Sequence, residues 1–190
     1  MKNWFAILFT MTILISSHAI AEDSNPFKSS FVSEHEIVLL NHGLSALEER
    51  LEMIERAKTS IDVEYFIFNL DKSGKIFTQA LLKKAREGVK VRMLLDFSPF
   101  FAHEMEQNGI EIRYFNRKSA LNLFSGQYRN HRKVLIVDSK EAITGGRNIG
   151  DEYFDMKEDF NFLDRDIGIK GEVVGAILET FNLVWNSPLS

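Results

Sequence analysis

The chain has 190 residues, a formal net charge of −4, 45% apolar residues and 26% charged residues, the composition of one ordinary globular domain. That acidic balance excludes a whole-protein attraction to nucleic acid but leaves room for a local basic site. Cysteine is absent, which excludes a disulfide framework, a thiol nucleophile and a cysteine-ligated zinc.

At the N-terminus, Lys2 precedes an apolar run over residues 4–15, broken only by Thr10 and Thr12, and residues 16–21 end in Ala19-Ile20-Ala21. This pattern predicts an export signal over residues 1–21, with a small-x-small cleavage site and an apolar run too short for a membrane span. The expected destination is the periplasm or the medium, with an uncleaved N-terminal anchor as the alternative. Residues 22–40 read as a linker or N-terminal extension, and 41–190 as the folded domain.

Within the domain, Leu44, Leu47, Leu51, Ile54 and Ala57 fall at helical spacing, which predicts a helix over 44–57. Residues 60–68 (SIDVEYFIF) are β-branched and aromatic and predict a buried strand. Ser73-Gly74 is expected to break the chain before a helix over 76–86, which Gly88 ends. A strand follows over 89–95, then a short helix over 100–107, a strand over 110–115 and an irregular loop over 117–130. Two short strands over 133–138 and 141–144 flank a turn, and residues 160–169 form a further strand candidate. Val173, Ile177, Phe181 and Val184 share one face of a helix over 173–185. Strands alternating with helices predict an α/β fold, a single domain with a mixed sheet flanked by helices on both faces.

The chemistry concentrates in His131-Arg-Lys133-Val-Leu-Ile-Val-Asp138, followed by Gly145-Gly146-Arg147-Asn148. Residues 134–137 are apolar and read as core strand, and alternation points His131 and Lys133, two apart on its leading end, to the same side. Asn148 returns from the next strand after a glycine pair, Gly145-Gly146, that frees the backbone to approach a ligand. An imidazole, an ammonium and a carboxamide aimed at one point suit phosphoryl or phosphatidyl transfer without a metal. The bland alternative is a basic loop at a strand edge, with Asp138 and Asn148 as turn residues.

This segment resembles the phospholipase D superfamily signature, His-x-Lys-(x)4-Asp-(x)6-Gly-Gly/Ser-x-Asn, which residues 131–148 match without a gap inside a signature region of 126–153. The opening HGLSALEERLEMIERAKTSIDVEYFIF, the strand ending Leu94-Leu95-Asp96 and the closing 181–185 resemble the first half of bacterial cardiolipin-synthase-like enzymes. The resemblance implies a phospholipase D-like sandwich and a two-step reaction through a phosphohistidine intermediate, with no cofactor and no metal. On it, His131 is the nucleophile or its acid/base counterpart, Lys133 and Asn148 contact the phosphate beside Gly146, and Asp138 fixes local hydrogen bonds. It also implies a carboxylate behind the histidine, for which Asp164 is the best match and Asp166 the runner-up.

The superfamily's site needs two copies of this signature, and His18, His35, His42 and His103 have no lysine two residues on. Half a site is therefore present, to be completed by a homodimer partner or by a second motif in a longer chain, for which the abrupt ending after Trp185 also speaks. Residues 113–147 hold eight Lys/Arg against two Asp/Glu, and 151–166 seven acidic against two basic residues. The first surplus suits a phosphate-bearing substrate, and the reversal disfavours a continuous track for a long polyanion. Phe97, Phe100, Phe101 and the run 121–124 offer apolar groups to acyl chains, a membrane surface, a dimer partner or the core. Glu64 is a buried-looking carboxylate that either helps the site or pairs with a nearby base. Three functions compete: a phosphodiesterase or phosphatidyltransferase acting on phospholipid, an exported homodimeric nuclease, and a non-catalytic half of a two-motif enzyme.

Overall fold

A computed structural model describes residues 35–96, 102–115, 129–188 and 190. The export signal, most of the linker, the 117–128 part of the expected loop, the start of the signature region and the phenylalanines at 97, 100 and 101 lie outside the described residues. The elements are β1 (Glu36–Leu40), α1 (Gly43–Arg56), β2 (Ser60–Tyr65), α2 (Lys72–Arg86), β3 (Lys90–Leu95), α3 (Ala102–Gln107), β4 (Glu111–Tyr114), β5 (Val134–Val137), β6 (Glu141–Gly145), β7 (Asp166–Lys170) and α4 (Val173–Trp185).

The seven strands form one sheet in the order β1-β7-β6-β5-β2-β3-β4. β2, β3 and β4 pair in parallel, as their helical crossovers require, while β2–β5, β5–β6, β6–β7 and β7–β1 pair antiparallel. Alternation divides the side chains between two cores. Ile61, Val63, Val91, Met93 and Leu135 meet Ile54 of α1, Phe77 and Leu81 of α2 and Met105 of α3 on one face. Leu94, Val134, Ile136, Ala142 and Ile169 meet Val174, Phe181 and Trp185 of α4 on the other. The architecture is thus the mixed sheet with helices on both faces that the alternation of elements predicts. No helix among the described residues is long and apolar enough to cross a membrane.

Four local departures have physical causes. Residues 36–40 join the sheet as β1, so the folded unit begins ahead of the expected boundary at 41. Ser73 and Gly74 lie inside the first turn of α2, because the Asp71 side chain caps it by accepting from Gly74 N–H at 3.2 Å; such a cap offsets the weak helix propensity of glycine. β2 stops at Tyr65 because the backbone beyond it pairs elsewhere, with Ile149 N–H donating to Ile67 O and Asn69 N–H to Ile149 O. The expected strand over 160–169 starts only at Asp166, since its first part folds back to stack Phe162 on Tyr153 at 4.8 Å.

Candidate active site

The register places β1, β2, β3 and β6 with their carboxyl ends at the same sheet edge where β5 and β7 begin. Everything just outside those strand ends converges there: Phe66 after β2, Asp96 after β3, residues 129–133 before β5, 146–148 after β6 and Asp164 before β7. Such an edge, where connections leave a sheet in different directions, is where α/β folds build ligand sites.

His131 is exposed, and its ring lies on Phe66 with centroids 3.8 Å apart and planes 25° apart. Lys133 is largely buried, and its Nζ lies 5.4 Å from the Phe66 centroid and donates to the His131 carbonyl oxygen. His131 and Lys133 do meet, but by a shared platform rather than strand alternation, because β5 begins only at Val134. Burial pushes the Lys133 ammonium below the ordinary lysine value, against the upward pull of the Asp164 carboxylate. Arg129 adds a second cation, 4.9 Å from the same Phe66 ring. An exposed imidazole between cations is arranged for a substrate that brings negative charge.

Asn148 is buried, and its Oδ1 accepts from Ile67 N–H at 3.0 Å. Its amide also bonds the Tyr153 hydroxyl, whose pKa is raised by burial despite that bond, with Glu152 and Asp164 adding to the rise. The Asp164 carboxylate packs over Gly146, where an added Cβ would stand 1.9 Å from Oδ1. At Gly145 it would stand 2.3 Å from an Asp166 oxygen. The glycine pair therefore admits the protein's own carboxylates, which is a tighter requirement than approach by a ligand. Asp164 sits close enough to act on both Lys133 and Tyr153. Asp166 does not share that position: it is buried against Arg50 and Arg147, 2.9 and 3.1 Å away.

Asp138 lies at the opposite end of β5, away from the histidine. Its carboxylate accepts from the backbone N–H of Lys58, Thr59 and Ser60 at 2.8, 2.7 and 2.9 Å, and from the Thr59 hydroxyl at 2.8 Å. Burial pushes its pKa up, but the Ser60, Thr59 and Lys58 bonds outweigh that and hold it at about 2. A carboxylate depressed in the folded state stabilises above its unfolded pKa and loses that contribution as pH falls through the folded value. Asp138→Asn, which tolerates the φ of 52° at this turn, is expected to cost about 1–3 kcal/mol at pH 7. The gap to wild type should narrow as pH falls below the ordinary aspartate range, as read by urea unfolding at pH 7, 5 and 3. A gap independent of pH would refute the charge-based account.

Sequence reasoning passed over the residues that hold this site. Asp96 accepts from Asn130 N–H at 2.8 Å and from Arg129. Arg147 is buried and donates to the carbonyl oxygens of Leu40, Asn41, Tyr153 and Asp164. Phe66 was visible only as an aromatic in a strand, and nothing local marks it as the bed of the histidine.

A family model described as cardiolipin synthase, PLD-like domain, matches residues 51–185. Among curated proteins, an uncharacterised protein of Helicobacter pylori is 38% identical over 166 residues, covering 78% of this chain and 33% of that protein. The major cardiolipin synthase ClsA of Bacillus subtilis is 32% identical over 183 residues, covering 92% of this chain and 36% of the synthase. The chain spans about a third of the length of these relatives. Among solved structures, NucT from Helicobacter pylori superposes with a TM-score of 0.65 at 17% identity, covering 81% of this chain and 98% of that one. Nuc from Salmonella typhimurium, a phospholipase D family member, gives 0.58 at 21% identity, covering 80% and 95%. At these identities the solved structures speak for the fold alone.

Proposed function

The chain belongs to the phospholipase D superfamily, and on that footing we propose that it is a phosphodiesterase of phospholipase D type, hydrolysing or transferring phosphatidyl groups. The carrying observation is the exposed His131 ring set on Phe66 beside the buried Lys133, with Asp164 acting on that lysine. In the proposed reaction a ring nitrogen of His131 attacks phosphorus, forming a P–N bond as the bond to the leaving alcohol breaks. The departing oxygen takes a proton from a second histidine, which then removes a proton from water or an acceptor alcohol as that attacks and releases His131. Lys133 and Asn148 stabilise the phosphoryl oxygens through both steps.

The described sequence supplies one copy of the pattern, and in this proposal the second histidine is His131 of the partner subunit in a two-fold dimer. Phospholipid is favoured over nucleic acid by the acidic stretch 151–166 beside the site and by Leu163, 94% exposed, immediately before Asp164. Phe160, 56% exposed, extends that apolar rim, which suits acyl chains or a membrane surface better than a polyanion. An exported homodimeric nuclease remains the second reading, favoured by the eight basic residues of 113–147.

Light scattering on the chain, with hydrolysis of bis(p-nitrophenyl) phosphate measured on the same fractions, tests the proposal. The expected result is a dimer that cleaves the diester, and phosphatidylglycerol vesicles in preference to DNA. A monomer without turnover would overturn the catalytic reading, and preference for DNA would transfer it to the nuclease.

A further inference from the structure

Glu64 stands near the end of β2, opposite Val134 in the register, with its side chain 0% exposed. A carboxylate so placed is costly unless it is paired. Its partners are the two residues that bracket His131. Asn130 Nδ2 donates to Glu64 Oε1 at 2.5 Å. Arg132 brings a guanidinium nitrogen within 3.1 Å of Oε2, at an angle that makes this an ion pair rather than a hydrogen bond. The grip is reinforced from both sides. Asn130 N–H is fixed by Asp96, its Oδ1 accepts from Arg132 N–H at 3.1 Å, and Arg132 reaches Thr180 of α4 with two bonds of 3.2 Å.

Residues 130 and 132 are thus both held on one buried carboxylate, and the ring of the residue between them lies on Phe66, two residues beyond Glu64 on the same segment. We propose that Glu64 is a positioning residue for His131, fixing through Asn130 and Arg132 the side on which the imidazole is presented. The assignment rests on His131 as the reacting group for its catalytic consequence, but its geometric consequence is independent of that.

A ring stacked at 3.8 Å on a phenyl carries an upfield ring-current shift of its C–H protons, which proton NMR reads without any substrate. His131→Ala identifies the resonances by their loss, and Phe66→Leu should remove the shift. In Glu64→Ala the His131 protons are expected to move to the positions of an exposed histidine. Turnover of the chromogenic diester should fall about 100-fold with KM little changed, the scale of a reacting group misplaced by an ångström. Glu64→Gln keeps an acceptor for Asn130 and should restore turnover to within about 10-fold of wild type. Should Glu64→Ala not fold, Arg132→Ala, whose side chain is 33% exposed, must move the same resonances. A folded Glu64 or Arg132 variant with wild-type His131 shifts would overturn the proposal. Wild-type protein without turnover would instead defeat the phosphodiesterase reading and leave the NMR result to decide this one.

Discussion

Replacing His131 by alanine is expected to lower diester cleavage by about 10⁴-fold or more, the scale of losing a nucleophile that acts within a unit. The fold should not register the change. His131 is exposed and its described contact is the face of Phe66, and surface substitutions of this kind stay within about 0.5 kcal/mol. For a domain of this size that is a shift of only about 1–2 °C in Tm. The pairing of these two readouts is what gives the experiment its force. A large loss of activity with an unmoved melting curve assigns the chemistry to the imidazole. Residual turnover near wild type would mean that phosphorus is attacked from somewhere else. In a dimer whose two histidines share one site, a mixture of His131→Ala with Lys133→Met subunits should remain inactive, because every mixed site lacks one essential group.

The fold was legible from the chain because its elements follow simple periodicities. Helix α4 was predicted with the bounds found, 173–185, since its apolar residues repeat at helical spacing and nothing interrupts them. α1, β3 and β4 likewise lay within a residue or two of expectation. Strand β1 was not legible: Ile37, Val38 and Leu39 form an exposed edge, so neither alternation nor a turn signal separated them from the linker before them. At the site, the resemblance implied that Asp138 fixes local hydrogen bonds, and its carboxylate accepts from the backbone N–H of Lys58, Thr59 and Ser60. The framework around His131 was not legible, and the reason is geometric. Glu64, Phe66 and Asp96 reach residues 129–133 from sequence positions more than 30 residues away, and only the pairing of β2 with β5 brings them together. The carboxylate pair Asp164 and Asp166 shows the same limit. The resemblance offered both as the carboxylate behind the histidine, but only the structure separates the one that acts on Lys133 from the one buried under α1.

That buried aspartate carries the largest stability effect expected in the molecule. Asp166 accepts from Arg50 at 2.9 Å and from the Arg147 side chain and backbone at 3.1 and 3.2 Å. Arg50 continues to the Tyr65 hydroxyl at 3.1 Å, so two guanidinium groups share one carboxylate inside the α1 face of the sheet. Asp166→Ala would strand both cations, and breaking a buried pair by removing one partner costs about 3–5 kcal/mol. Urea unfolding at pH 7 should show that loss, with a fall in Tm of about 6–20 °C. Asp166→Asn keeps an acceptor oxygen and should recover part of it; equal losses for the two variants would mean that the charge carries the whole effect and the retained acceptor contributes nothing. Swapping the whole triad for apolar residues, neutral or stabilising in some proteins, should not be neutral here. Arg147 also satisfies the carbonyl oxygens of Leu40, Asn41, Tyr153 and Asp164, and an apolar replacement leaves those acceptors buried without donors. Since Gly146 and Asn148 flank Arg147 in sequence and Asp164 hangs from its guanidinium, any variant that loosens this cluster should lose turnover at temperatures where it is still folded. A variant that loses several kcal/mol but keeps wild-type turnover below its Tm would sever that link between the buried charges and the site.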